Sequence, residues 1–341
     1  MVLMNSDLMC KVAFWGPQKS GKTWFLKALG RAITNCDALD PNFLYGISDL
    51  RNDDENDSGM FSDFPSNDEI GSAEYFWKIY RRPRKYNPEE CVSTHTHYVL
   101  FSEINGSSAL DLDDSAKIAF RDAHLLIVFL DPTILTESNG DNESLILQSS
   151  NKEKFEYEND DEDIDVSSLF RESNTFLDVE PSPPQNSGKN PTKLNKQQYL
   201  HYIKNLFDYL RNTNAKPRIA ICLTKVDQIR LDLKPGIVIP ALFGQEMDAL
   251  IRKNQSRFDL NIFMISSTGY QSTKSREANF NPSSRLLKVP EEWIPYQVER
   301  PVFWHLEKVE NQKLSQTTSF FGRFFVNSNK QKYIKYTHLN K

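Results

Sequence analysis

The sequence predicts an α/β fold, built as a doubly wound, mostly parallel sheet with helices on both faces and large polar insertions. Two observations carry this expectation. Short apolar runs alternate along the chain with segments whose apolar residues recur at three-to-four spacing. One run, 123–130 (AHLLIVFL), is almost continuously apolar, as a central parallel strand covered on both faces must be.

The elements follow in order. Segment 11–15 (KVAFW) is short, apolar and closed by Gly16-Pro17, so it reads as a buried strand. A helix is predicted over 21–33, where Phe25, Leu26, Leu29, Ala32 and Ile33 form one stripe. Residues 36–70 read as a polar insertion, rich in Asp, Asn and Ser over 48–67. A second helix is expected over 72–82, with Phe76, Ile79 and Tyr80 inward and Pro83 ending it. Strands follow at 97–101 and 123–130. Residues 132–195 form another insertion, with an acidic run at 156–165 (EYENDDEDID) and a stretch rich in Pro, Asn and Ser over 180–191. Regular structure resumes with a helix over 196–211, whose apolar face carries Tyr199, Ile203, Leu206, Phe207 and Leu210. A strand at 218–223, a helix near 241–253, a strand at 261–265 and a polar insertion at 270–292 come next. The last predicted helix spans 298–309, with Pro301 near its start, where a missing N–H costs little. There is no internal repeat.

A chain of 341 residues is long enough for about two domains, or for one carrying large insertions. The element order favours a single domain over 1–312 and a basic, aromatic tail over 313–341. Lysine and arginine total 41 against 46 acidic residues, a net charge of −5, so nucleic-acid binding is not indicated. Cys10, Cys36, Cys91 and Cys222 lie far apart with no CxxC. That excludes a disulfide scaffold or cysteine zinc ribbon and points to a reducing, cytoplasmic setting. No apolar run approaches the roughly 18 residues of a membrane span, and 1–10 lacks the charged start of a signal peptide.

The decisive segment is Gly16-Pro-Gln-Lys-Ser-Gly-Lys22-Thr23, which matches G-x-x-x-x-G-K-[ST] between a predicted strand and a predicted helix. In such a loop the backbone N–H groups of Gly16, Gln18, Lys19, Ser20 and Gly21 face phosphate oxygens, and the helix start adds partial positive charge. Lys22 supplies a point charge to the β- and γ-phosphates, and Thr23 offers its hydroxyl to Mg²⁺. A second segment, Thr224-Lys-Val-Asp227, directly follows the strand at 218–223.

With these two segments the chain resembles the P-loop GTPases of Ras-like type, in which [N/T]-K-x-D after a buried strand reads guanine. The resemblance implies that Asp227 accepts from guanine N1 and N2, that the stem of Lys225 lies along the base, and that Thr224 braces the loop. Adenine lacks that donor pair, so the aspartate discriminates by leaving polar groups unpaired with the wrong base. Ser266-Ser267-Thr268, at the end of the strand 261–265, is similar to the family's loop whose backbone contacts guanine O6, with Ser267 in place of alanine. Glu103-Ile-Asn-Gly106 stands where the family has D-x-x-G. It would place Glu103 on the Mg²⁺ side through water and the Gly106 N–H toward the γ-phosphate. Glutamate there is a departure. Ser107 is a second one, because Ras-like enzymes carry a water-orienting glutamine at that place. The family's switch threonine is not assignable; Thr94 and Thr96 are nearest. The resemblance covers 10–35, 93–131, 196–269 and 298–312. The P-loop together with Arg300-Pro-Val-Phe-Trp-His-Leu306 is similar to bacterial double-GTPase domains of conflict and defence systems.

The function these residues imply is a guanine-nucleotide switch that binds Mg²⁺ with GTP or GDP and hydrolyses slowly until an unidentified protein activator or effector assists. Two alternatives stay open: a regulatory scaffold that binds without hydrolysis, and an ATP-dependent P-loop enzyme. Three further features are outside this scheme. Thr94-His95-Thr96-His97 could offer two metal ligands, Arg81-Arg82-Pro-Arg84-Lys85 is a basic cluster near the expected switch region, and Phe320-Phe321-Gly-Arg-Phe-Phe325 with Lys330, Lys332 and Lys335 could dock on a membrane or partner.

Overall fold

The computed structural model describes residues 9–34, 43–49, 73–83, 95–136, 194–228, 235–270, 278–281, 286–290 and 293–321. At its centre is β1 (Met9–Trp15), followed by α1 (Lys22–Thr34), β2 (Phe43–Asp49), β3 (Ala73–Pro83) and β4 (His95–Glu103). Two short helices, α2 (Gly106–Asp111) and α3 (Asp114–Asp122), lead to β5 (Leu125–Leu130). The two-residue strands β6 (Leu135–Thr136) and β7 (Leu194–Asn195) pair beside the next helix, α4 (Lys196–Asn212). Then come β8 (Arg218–Leu223), α5 (Pro235–Phe243), α6 (Gln245–Gln255), β9 (Leu260–Met264) and β10 (Ser266–Tyr270). The short strands β11 (Phe280–Asn281), β12 (Leu286–Leu287) and β13 (Ile294–Tyr296) precede α7 (Arg300–Phe321).

The main sheet is mixed and mostly parallel, in the order β2-β3-β4-β1-β5-β8-β9. Strands β4, β1, β5, β8 and β9 run parallel, while β3 is antiparallel to β4 and β2 is antiparallel to β3. All six residues of β5 are buried, which matches its unbroken apolar sequence. Consecutive residues of β1 point to opposite faces, and the aromatic contacts show where each goes. Phe14 meets Phe25 of α1 and Phe129 of β5 edge-on, at 5.5 Å each, and Phe25 meets Phe129 at 5.3 Å. Trp15 instead meets Tyr199 of α4 at 6.2 Å. Such edge-to-face pairs contribute about 0.5–1.5 kcal/mol each beyond their buried area, so α1 and α4 are each anchored to β1 by aromatic contact. A capping box at Asn195 and Gln198 fixes the start of α4.

Several expectations need correction. Where a helix was expected over 72–82, the described residues 73–82 belong to the strand β3. Trp77 and Ile79 alternate inward there, and its Tyr, Phe, Trp and Ile content suits a pleated surface. The region 36–70 contains β2, so it is not uniformly loop. The helix expected near 241–253 is two helices, because Gly244 adopts a φ of +92° between α5 and α6. Neither α2 nor α3 was expected. The last helix runs to Phe321, well beyond 309 and into the expected tail.

The chain divides into two compact units, Met1–Glu299 and Arg300–Lys341. Within the second, Lys308 places its ammonium 4.9 Å from the Trp304 ring centre, one turn along α7. Among the described residues no helix is long and apolar enough to cross a membrane.

Candidate functional site

The parallel strands β1, β4, β8 and β9 share one direction, so their carboxyl ends open on the same edge of the sheet, where ligands of open α/β sheets bind. Each end carries one of the candidate segments.

The loop after β1 turns between Gly16 and Gly21. Ser20 N–H donates to the Pro17 carbonyl at 3.3 Å, and Lys19 and Gly21 take φ values of +65° and +93°. Phe25 N–H bonds the Gly21 carbonyl at 2.8 Å, which starts α1 directly at the loop. Gln18 and Lys19 are exposed, whereas Ser20 is fully buried. A Cβ at Gly16 would stand 2.7 Å from Ser20 Oγ and 3.0 Å from Phe129 Cβ, so the loop is packed tightly onto β5. Lys22 is only 6% exposed and donates from Nζ to the carbonyls of Gly16 and Pro17, both at 2.9 Å. Burial lowers its pKa to about 8, against the opposing pull of Glu103.

Glu103 is the last residue of β4 and lies in register with Phe14. That register brings it beside the loop, where Thr23 Oγ1 donates to its Oε1 at 2.5 Å. A hydroxyl and a carboxylate oxygen side by side fit Mg²⁺, a hard cation that takes one or two protein oxygens and completes its shell with phosphate and water. Among the described residues no three His, Cys, Asp or Glu side chains cluster as metal ligands. Gly106 opens α2 against the loop: an added Cβ would collide with the Gln18 backbone nitrogen and stand 2.6 Å from its Cα. Ser107 donates from both N and Oγ to Asn105 Oδ1, at 3.0 and 2.9 Å, so its hydroxyl serves the start of α2.

On the other side of β5, Thr224 donates from N and from Oγ1 to the Leu130 carbonyl, at 2.9 and 3.3 Å. Lys225 has a φ of +56°, and Asp227 lies in a 3₁₀ turn, Val226–Gln228. Val226 N–H reaches the Ile265 carbonyl at 3.3 Å, which ties the turn to the end of β9. Asp227 is fully buried. Its Oδ1 accepts from Ser266 Oγ at 2.5 Å and its Oδ2 from Thr268 Oγ1 at 3.2 Å. Burial pushes its pKa up, and the two hydroxyls pull the other way. Ser266 Oγ also accepts from Gly269 N at 2.8 Å. The carbonyl of Ser267 accepts from Trp293 Nε1 at 2.8 Å, and the Trp293 ring meets Trp24 of α1 edge-on at 6.0 Å.

The structure therefore brings Thr23 to Glu103, Gly106 to Gln18, and Asp227 to Ser266. The sequence expected only backbone chemistry from the Ser266 loop; its side chains are what hold Asp227. Thr268 belongs to a segment the sequence singled out, but with no side-chain role; Trp293, Asp131 and Thr133 were missed. Thr268 and Trp293 brace the loop, and Asp131 and Thr133 engage Lys225, whose Nζ lies 2.7 Å from Asp131 Oδ2 and donates to Thr133 Oγ1 at 2.7 Å. A signal for the last pair was present: Asp-Pro-Thr directly after an apolar strand is an Asp-led turn pattern. Thr96 lies on β4 opposite Tyr80, and His95 and His97 on the same strand oppose Arg81 and Ile79. Arg81 and Arg82 lie in β3, and Phe320 and Phe321 end α7. Thr94, Arg84, Lys85 and 322–341 lie outside the described residues.

No protein-family model matches the chain, and no curated protein matches it. Solved structures do. Over 76% of its length the chain aligns with 91% of a chain in the signal recognition particle receptor SRb-GTP/SRX complex from Chaetomium thermophilum. The identity is 14% and the TM-score 0.39, a likeness that assigns neither a ligand nor a role to any residue here.

Proposed function

We propose that this chain binds guanine nucleotides together with Mg²⁺, and that its loops change conformation with the presence of the γ-phosphate. The observation that carries the reading is the Asp227 carboxylate. It is held by Ser266 and Thr268 at the same sheet edge as an intact P-loop. The carboxylate has no exposed surface and also accepts from its own backbone N–H, so a base that presents two adjacent donors would take the places of the Ser266 and Thr268 hydroxyls.

In this reading Lys22 leaves the Gly16 and Pro17 carbonyls for the β- and γ-phosphates. Thr23 and Glu103 are the residues that would hold Mg²⁺. Mg²⁺ supplies neutralisation of the charge that develops on the phosphates. Gly106 lets α2 approach the loop closely enough for its N–H to meet a γ-phosphate. None of the described groups on α2 orients an attacking water, because Ser107 is short and engaged with Asn105. Turnover is accordingly slow without a partner's groups. That same engagement favours a second reading, in which the chain binds GTP or GDP and signals without hydrolysis.

The test is equilibrium binding of fluorescent GTP with Mg²⁺, competed by GTP, GDP and ATP, on wild type and Asp227→Asn. GTP and GDP should compete and ATP should not. The substitution should erase roughly ten- to a hundredfold of guanine preference, the cost of one or two mispaired buried polar groups. Equal competition by ATP in the wild type would overturn the guanine assignment.

A further inference from the structure

We propose that Asp131 is a positioning residue for base recognition: it anchors the tip of Lys225, so that the lysine stem stands ready as an apolar platform for the base. The inference rests on the guanine-binding reading above.

Asp131 directly follows β5 and is fully buried. Its Oδ1 accepts from Thr133 N at 2.9 Å and from Thr133 Oγ1 at 2.8 Å. Its Oδ2 faces Lys225 Nζ at 2.7 Å, and the same ammonium donates to Thr133 Oγ1 at 2.7 Å. The backbone of Asp131 is fixed from below. Tyr199 Oη donates to the Phe129 carbonyl at 2.8 Å and accepts from Asp131 N at 3.3 Å.

Lys225 is thus held at both ends. Its Cα sits in a left-handed conformation between two backbone bonds, Thr224 to Leu130 and Val226 to Ile265. Its tip sits on Asp131 and Thr133. The Lys225 side chain as a whole keeps 31% of its surface exposed, whereas Asp131 keeps none. A carboxylate with no exposure needs its partner, since an unpaired buried charge is strongly unfavourable. The pair therefore holds before any ligand arrives. A free lysine would lose rotamer freedom when a base packs on it; here that loss occurs on folding, and binding is relieved of it.

The test is a double-mutant cycle on GDP and GTP affinity, using Asp131→Asn, Thr133→Val, Lys225→Ala and the two doubles with Lys225→Ala. Asp131→Asn should weaken binding about three- to tenfold, the usual effect of one side chain left to be ordered on binding. Thr133→Val should weaken it less. In the Lys225→Ala background both should have no further effect, within about twofold. Equal weakening in that background would mark Asp131 as a merely structural residue and overturn the proposal. So would an unchanged affinity in a folded Asp131→Asn protein. If Asp131→Asn does not fold, Thr133→Val decides by the same criterion, because it leaves the buried carboxylate in place. Asp227→Asn and ATP competition run alongside. A flat cycle in a protein that still prefers guanine overturns the anchor alone, and a wild type without guanine preference overturns the base-reading assignment and the anchor with it.

Discussion

Lys22 and Asp227 are both buried, both ionisable and at opposite ends of the candidate site, and their pKa values move toward each other. Lys22 is lowered to about 8, and burial raises Asp227 from its ordinary value. In the proposed function each is charged when ligand is bound, so the sign of proton linkage follows. Phosphate favours the Lys22 ammonium, so nucleotide binding takes up a proton once the free protein has lost it, above pH about 8. The base donors favour the Asp227 carboxylate, so binding releases a proton in the acid range. Affinity for GDP should form a plateau that falls on both sides, by at most tenfold per pH unit on each limb. Calorimetry in buffers of different ionisation enthalpy reads the linked proton directly; uptake above pH about 8 and release on the acid limb are expected. A flat profile through both limbs would place neither group against the ligand.

At the scale of elements, α2 meets the phosphate loop with no room to spare. Gly106→Ala places a methyl group against the Gln18 backbone, which cannot swing aside as a side chain would. Either the loop or the helix start must move, and the expected outcome is at least tenfold weaker GTP binding with secondary structure retained, read by fluorescence titration and far-UV circular dichroism. The elements also show what was legible beforehand. Strands β1, β5 and β8 announce themselves because burial on both faces demands unbroken apolar runs. β3 was misread because Phe76, Ile79 and Tyr80 satisfy helical spacing, while Trp77 and Ile79 satisfy strand spacing over the same residues. α2 and α3 are too short to show a period. The P-loop was readable because its chemistry is contiguous. The Asp227–Ser266 and Lys225–Asp131 partnerships were not, since their members lie 39 residues apart in one case and on different strand ends in both.

For the molecule as a whole, a nucleotide bound as proposed would contact loops from strand ends across the sheet, so occupancy should stabilise the unit that contains them. GDP at a hundred times its dissociation constant contributes about 2.7 kcal/mol to unfolding free energy. A thermal-melt series should show a GDP- and GTP-dependent rise that ATP does not reproduce, and that Asp227→Asn loses for guanine nucleotides selectively. The same geometry has an optical consequence. Trp24 directly follows Thr23, and Trp293 donates to the Ser267 carbonyl, yet their indoles stand 6.0 Å apart at 80°. Transition dipoles that close couple into a shared excited state, whose rotational strength depends on their mutual angle. The chain therefore carries its own chromophore pair, with one ring tied to each end of the candidate site, and its ultraviolet dichroism would register a twist between them without any attached label.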